Sequence, residues 1–131
     1  MIPVMIVEDE FLVRLGLKSL IDWNAYGFQI VADASDGQSA LRLYQQYKPY
    51  LILTDIRMEP MDGLALMEEI RRQDPDVKFI IISAYSDFAY AQKAISFGVE
   101  LYLSKSTLKN EELVQVLPRI RAAYEATHEK I

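Results

Sequence analysis

The feature that most constrains the fold is a short apolar run, residues 50–54 (Tyr-Leu-Ile-Leu-Thr), that stops abruptly on Asp55. Pro49 precedes it and the Glu59-Pro60 turn follows, so it reads as a strand buried on both faces and bounded by breakers. A strand of that kind belongs to a parallel α/β sheet, and ligands bind such sheets at the carboxyl ends of their strands. Asp55 stands at that edge. Taken alone it reads equally well as a helix cap or a solvated loop acid.

Other run ends add to it. Residues 4–7 lead into Glu8-Asp9-Glu10, residues 79–82 into Ser83, and residues 101–104 into Lys105. If these runs are parallel neighbours, Glu8, Asp9, Asp55, Ser83 and Lys105 meet at one edge. Clustered carboxylates repel and need a counter-charge. Hard oxygen ligands with open positions suit Mg2+, which keeps waters and shares itself with a phosphate. A lysine and a hydroxyl nearby can hold the other oxygens of a phosphoryl group.

At 131 residues the chain is one domain, and 51% apolar residues are enough for one core. With no cysteine there is no disulfide framework, thiol catalysis or zinc-thiolate site. A net charge of −5 argues against a nucleic-acid-binding surface. Nothing resembles a signal peptide, and no apolar run approaches the roughly 20 residues of a membrane helix.

In chain order, the pattern predicts a helix over 11–20, with Val13, Leu17 and Leu20 sharing a face. Gly16 inside it is costly by propensity and implies close packing. A loop over 22–27 follows, with Trp23 capping the core at the end opposite the acids. Next come a strand over 28–34 and a helix from Asp36 to Tyr47, with Ala40, Tyr44 and Tyr47 as packing residues. A helix over 63–73 buries Leu64, Met67 and Ile70 and pairs Glu68 with Arg72. A strand over 78–83 precedes a helix over 86–97 ended by Gly98. That helix carries apolar groups around much of its circumference, as a buried helix or a partner surface would. The last strand covers 101–104. A helix then starts near Asn110, buries Leu113, Val116, Leu117 and Ile120, and is expected to kink or break at Pro118. The polar end, 125–131, is expected to fray or lead into a linker, with His128 solvated.

Five strands alternating with five helices imply a doubly wound α/β fold with right-handed crossovers. The order 2-1-3-4-5 puts the first and third strands side by side, with Asp9 facing Asp55.

The pieces Val7-Glu8-Asp9-Glu10, Thr54-Asp55-Ile56-Arg57-Met58, Met61-Asp62-Gly63, Ile82-Ser83-Ala84 and Tyr102-Leu103-Ser104-Lys105 stand in order at these strand ends. In this the chain resembles the receiver domain of a two-component response regulator, over roughly residues 2–123. The resemblance implies a flavodoxin-like five-stranded parallel sheet in a cytoplasmic signalling protein. It implies that Asp55 accepts a phosphoryl group from a sensor histidine kinase or a small phosphodonor. Asp9, Asp55 and the backbone carbonyl of Arg57 would ligate Mg2+, with Glu8 acting through water. Lys105 would contact the phosphoryl oxygens, Ser83 would move to bond them, and Tyr102 would turn inward afterwards. The chain would be no enzyme beyond its own phosphorylation and dephosphorylation. Its fourth helix, fifth strand and fifth helix would form the readout face and a possible phosphorylation-dependent homodimer, favouring the partner reading of the fourth helix.

Two positions depart from the family pattern. Ser106 follows Lys105 where a proline in a cis peptide is usual, and a cis bond there costs about 2.5–4 kcal/mol. Glu59 precedes Pro60 where the proline commonly comes first, either adding charge near the pocket or pointing to solvent. Ala84 and Tyr85, with Arg57, would influence the access of water. The run 83–95 is similar to receivers joined to an AraC-type DNA-binding domain. In that case residues 1–123 are the receiver, 124–131 lead to an output domain, and DNA is contacted only through that domain. Three other readings compete. A haloacid-dehalogenase-like phosphatase needs a second Asp where Arg57 stands. A nucleotide or flavin module needs phosphate-cradling loops that are missing. A receiver-like interaction module that is never phosphorylated would lack Mg2+ binding.

Overall fold

The computed structural model describes residues 1–84, 88–105 and 110–128, with the backbone alone for 88–91. In chain order it contains β1 (Ile2–Val7), α1 (Phe11–Ser19), a 3-10 turn (Trp23–Tyr26), β2 (Phe28–Ala34), α2 (Gly37–Tyr47), β3 (Leu51–Thr54), α3 (Gly63–Gln73), β4 (Lys78–Ser83), α4 (Phe88–Ser96), β5 (Leu101–Ser104) and α5 (Asn110–His128). The five strands form one sheet in the order β2-β1-β3-β4-β5, and every pairing is parallel.

Alternation along the strands builds two cores, one on each face of the sheet. Val4, Ile6, Leu51, Leu53, Ile80, Ile82 and Leu103 face one side, covered by Leu17 of α1 and by Leu113, Val116, Leu117 and Ile120 of α5. Met5, Val7, Ile52, Phe79 and Ile81 face the other, covered by α2, α3 and Ala94 of α4. A continuous apolar strand with no polar face is the sequence form of this two-sided burial. Helix starts are set locally: Asp36 accepts a hydrogen bond from the Ser39 amide at 2.8 Å and Asp62 one from the Ala65 amide at 2.8 Å.

Most predicted elements stand where the pattern put them, and the differences have physical reasons. β1 begins at Ile2 and includes Pro3, followed by a register irregularity against β2 between Val4 and Met5. The loop before β2 contains a 3-10 turn that buries Trp23 beside Phe28, with the indole Nε1 donating to the Leu17 carbonyl at 3.1 Å. A Cβ on Gly16 would meet nothing within 4 Å, so no close approach requires this glycine. Tyr47 is 42% exposed because it lies a turn beyond the α2 residues that reach the sheet. The pair Glu68–Arg72 forms at 3.3 Å, and Glu69 joins it.

In α4, Ile95 is 68% exposed and Ala94 is buried. The expected apolar groups Phe88, Tyr90 and Ala91 lie outside the described side chains. The break expected at Pro118 is absent: one helix runs through it to His128. Pro118 is exposed, while Leu117 and Ile120 beside it are buried and hold both halves against the sheet. His128 is exposed, but its ring stacks on Tyr124 at 4.2 Å.

Candidate functional site

Parallel register brings the sequence's polar strand ends to one level. Val7 pairs with Thr54 and Thr54 with Ile81, so Glu8 and Asp55 leave adjacent strands side by side. Ser83 pairs with Ser104, which puts Lys105 one residue beyond them on β5.

Backbone hydrogen bonds extend the ladder into the site. The Asp55 amide donates to the Val7 carbonyl at 3.0 Å and the Glu8 amide to the Ala34 carbonyl at 2.9 Å. Asp55 is 4% exposed, and one of its oxygens, Oδ1, accepts from the Ile56 amide at 2.7 Å. The Thr54 hydroxyl donates to the Asp55 carbonyl at 2.8 Å. The loop beyond folds back so tightly that a Cβ on Gly63 would lie 2.0 Å from the Asp55 carbonyl oxygen. Only glycine admits this approach, and the Gly63 amide uses it to donate to the Ile56 carbonyl at 2.7 Å.

One lysine serves three acids. Lys105 Nζ lies 2.7 Å from Glu8 Oε1, 3.0 Å from Asp55 Oδ2 and 3.3 Å from Glu10 Oε1. Glu8 is wholly buried. Its Oε2 accepts from the Glu10 amide at 2.9 Å, while Oε1 has only the ion pair and no hydrogen bond of good geometry. Burial pushes the Glu8 carboxyl up to about 7, against the pull of Lys105, which lowers it. Burial acts on Lys105 in the opposite sense to its partners. It draws the pKa down, but the bonds and charges of Glu8 and Asp55 outweigh it and leave Lys105 above the ordinary lysine value.

Glu8, Asp9 and Asp55 each offer an oxygen, all within 4.8 Å of one another. These are hard oxygen donors carrying more negative charge than one lysine cancels. The set fits a small divalent cation such as Mg2+. Asp9 is exposed and opens onto a cleft lined by Arg57, Met58, Glu59 and Asp62, so an ion there keeps positions open to water or substrate.

The structure thus brings together Glu8, Asp9, Asp55 and Lys105, with Arg57 on the cleft wall. Ser83 is buried at the end of β4, and Tyr102 is half-buried against the core on the α2–α4 side. Glu59 is exposed at the cleft, and the Glu59-Pro60 peptide is cis. The peptide between Lys105 and Ser106, and Tyr85, lie outside the described residues. Sequence reasoning missed the third acid on the lysine, Glu10, whose only signal was its place after Asp9. It also missed the backbone crossing at Gly63, for which the Asp62-Gly63 helix start was the available sign.

Comparisons with known proteins bear on the family and the fold. The model of the response regulator receiver domain matches residues 4–118. The transcriptional regulatory protein HptR of Staphylococcus aureus is 40% identical over 120 residues, 92% of this chain and 46% of HptR. The REC domain of AraT, a response regulator from Geobacillus stearothermophilus, superposes with a TM-score of 0.88 at 35% identity, covering 99% of this chain and 100% of that one. A DNA-binding response regulator of the LuxR family from Staphylococcus aureus gives 0.80 at 31% identity, covering 92% and 98%. The chain spans between a third and a half of the length of the curated relatives it matches.

Proposed function

The chain belongs to the response regulator receiver-domain family, and on that premise we propose that it is a phosphorylation-dependent switch whose acceptor is Asp55. One observation carries the reading. A buried aspartate sits 3.0 Å from a lysine ammonium and shares a three-carboxylate cluster that opens to a cleft.

A carboxylate oxygen of Asp55 attacks the phosphorus of a phosphohistidine on a sensor histidine kinase. A P–O bond forms, the P–N bond breaks, and the imidazole leaves with the electron pair. With a small phosphodonor the bond broken is the donor's own P–O bond. Mg2+, when bound, neutralises the developing charge and aligns the donor. Asp9, Asp55 and the Arg57 carbonyl would hold that ion, with Glu8 beside them. Lys105 exchanges its carboxylate partners for phosphoryl oxygens. The Ser83 hydroxyl bonds the same group and Tyr102 follows inward, so the new dianion biases a two-state element. The chemistry is confined to the chain's own phosphoryl group.

A protein donor that reaches Asp55 also meets α1, which starts directly after Glu10 and exposes Phe11, Leu12 and Leu15. An apolar patch of this kind at the mouth of a polar site suits partner contact. In the parent protein, residues 1–123 are the receiver and 124–131 lead to an output domain that contacts DNA, of the AraC type, in the cytoplasm. HptR, a transcriptional regulator of about twice the length, supports that reading. The exposed Ile95 supports self-association through α4, β5 and α5 on phosphorylation.

Intact mass after incubation with acetyl phosphate tests the switch. The expected result is a gain of one phosphoryl group that needs Mg2+ and is abolished in Asp55→Asn. No gain with any donor would replace this reading with that of an unphosphorylated interaction module.

A further inference from the structure

The peptide that carries the two acids at the end of β1 is held from an unexpected direction. Arg14, in α1, reaches back with NH1 donating to the Glu8 carbonyl at 2.6 Å. The same guanidinium lies 3.6 Å from Asp33 Oδ1 on β2, through Nε, and Lys18 is ion-paired to the other oxygen of Asp33. The Arg14 side chain is 17% exposed, so water is a weak competitor for these bonds. No side chain caps α1: Glu10 at its N-cap makes no such bond. The turn 8–10 is therefore fixed from β2 through the Glu8 amide and from α1 through Arg14.

We propose that Arg14 is a positioning residue for the acidic pocket, fixing the Glu8-Asp9 peptide through the Glu8 carbonyl, with Asp33 as its anchor. The inference rests on reading the pocket as a Mg2+ and phosphoryl site. Glu8 and Asp9 diverge from that peptide, one carboxylate buried and one facing the cleft. Rotation of the peptide would move both away from Asp55. A planar fork with several donors suits the task, because it donates to a carbonyl with one nitrogen while another stays beside a carboxylate. A lysine ammonium is a point charge with no fixed fork.

Two effects of removing Arg14 oppose each other. Loss of a positive charge near the carboxylates would favour a cation, and loss of the hold on the peptide would disfavour it. The proposal is that the second wins. Titration calorimetry with MgCl2 on the 131-residue chain, beside urea denaturation in chelator, separates them. Arg14→Gln is expected to weaken Mg2+ binding about tenfold, as loss of a partner behind a metal ligand commonly does. Arg14→Lys, which keeps the charge and loses the fork, is expected to weaken it as well, with no gain from lost charge to offset the loss. Lys18→Gln, which touches Asp33 and not Glu8, is expected to bind as the unsubstituted chain does.

Equal or tighter Mg2+ binding by Arg14→Gln overturns the proposal, whatever its stability. Should that variant fail to fold, unchanged affinity in Arg14→Lys overturns it. A Lys18→Gln variant as impaired as Arg14→Gln would place the effect at Asp33 and not at the Glu8 carbonyl, which also overturns it. An unsubstituted chain that binds no Mg2+ removes the reading of the pocket itself, and that result is distinct from the others.

Discussion

Each edge of the sheet buries a cation among oxygens, and the two cations do opposite things. At the amino edge Arg71 donates to the carbonyls of Pro75 and Phe97, both at 3.0 Å, and to that of Val77. Its guanidinium stacks over Phe79 at 5.0 Å. Burial lowers its pKa, while Asp74, Glu100 and Asp76 act the other way. Its acceptors are neutral and lie at the ends of α3 and α4, where carbonyls are left over and positive charge is favoured. At the carboxyl edge Lys105 faces three carboxylates, one of them wholly buried. The first arrangement is complete and belongs to the framework. The second carries uncompensated charge, the condition under which binding a cation or a phosphoryl group becomes favourable.

The comparison can be broken from either side. The largest expected effect is at the carboxyl edge. In Gly63→Ala the new Cβ would stand 2.0 Å from a backbone oxygen, so the chain must move. A loss of about 3 kcal/mol in urea denaturation is expected, with loss of Mg2+ binding. At the amino edge, Arg71→Met keeps the stem over Phe79 and removes the donors. It is expected to cost about 2 kcal/mol and to leave Mg2+ affinity unchanged, which calorimetry on the folded variant checks. An altered affinity would mean that the two edges are coupled.

Acidity gives the third effect. The folded pKa of Glu8 is raised from 4.5 to about 7. Its contribution to stability is therefore complete below pH 4.5 and is lost as pH rises through about 7. Lys105 is also raised, but its contribution falls away only far above neutrality. In chelator, stability is expected to fall over this window. Glu8→Gln should flatten the profile. Mg2+ should stabilise more at the upper end, where the carboxylate has given up its proton. The smallest effect is a gain. Gly16 in α1 has open space around its Cβ position, so Gly16→Ala should stabilise by about 0.5–1 kcal/mol and leave the site untouched. A thermal melt reads it.

Most of the fold was legible because two-sided burial leaves a strong mark. Short uninterrupted apolar runs such as residues 79–82, bounded by turn signals, read as central strands, and the polar residues at their ends stand out against them. Helix ends were legible where a capping residue marks them, as at Asp36 and Asp62. Local rules failed where packing overrode them. Pro118 does not break α5, because Leu117 and Ile120 are both anchored in the core. Tyr47 follows the spacing of Ala40 and Tyr44 but overhangs the sheet.

The sequence by itself determined the strands and the polar residues at their ends, Glu8, Asp9, Asp55 and Lys105, because strand period and strand ends are local properties. Only the tertiary structure decided how the charges are shared: that Lys105 answers three acids, that Gly63 lies against Asp55, and that Arg14 reaches the Glu8 carbonyl. These contacts join residues distant in the chain or turned back on it. Their geometry follows from how helices seat on the sheet, which no local pattern encodes.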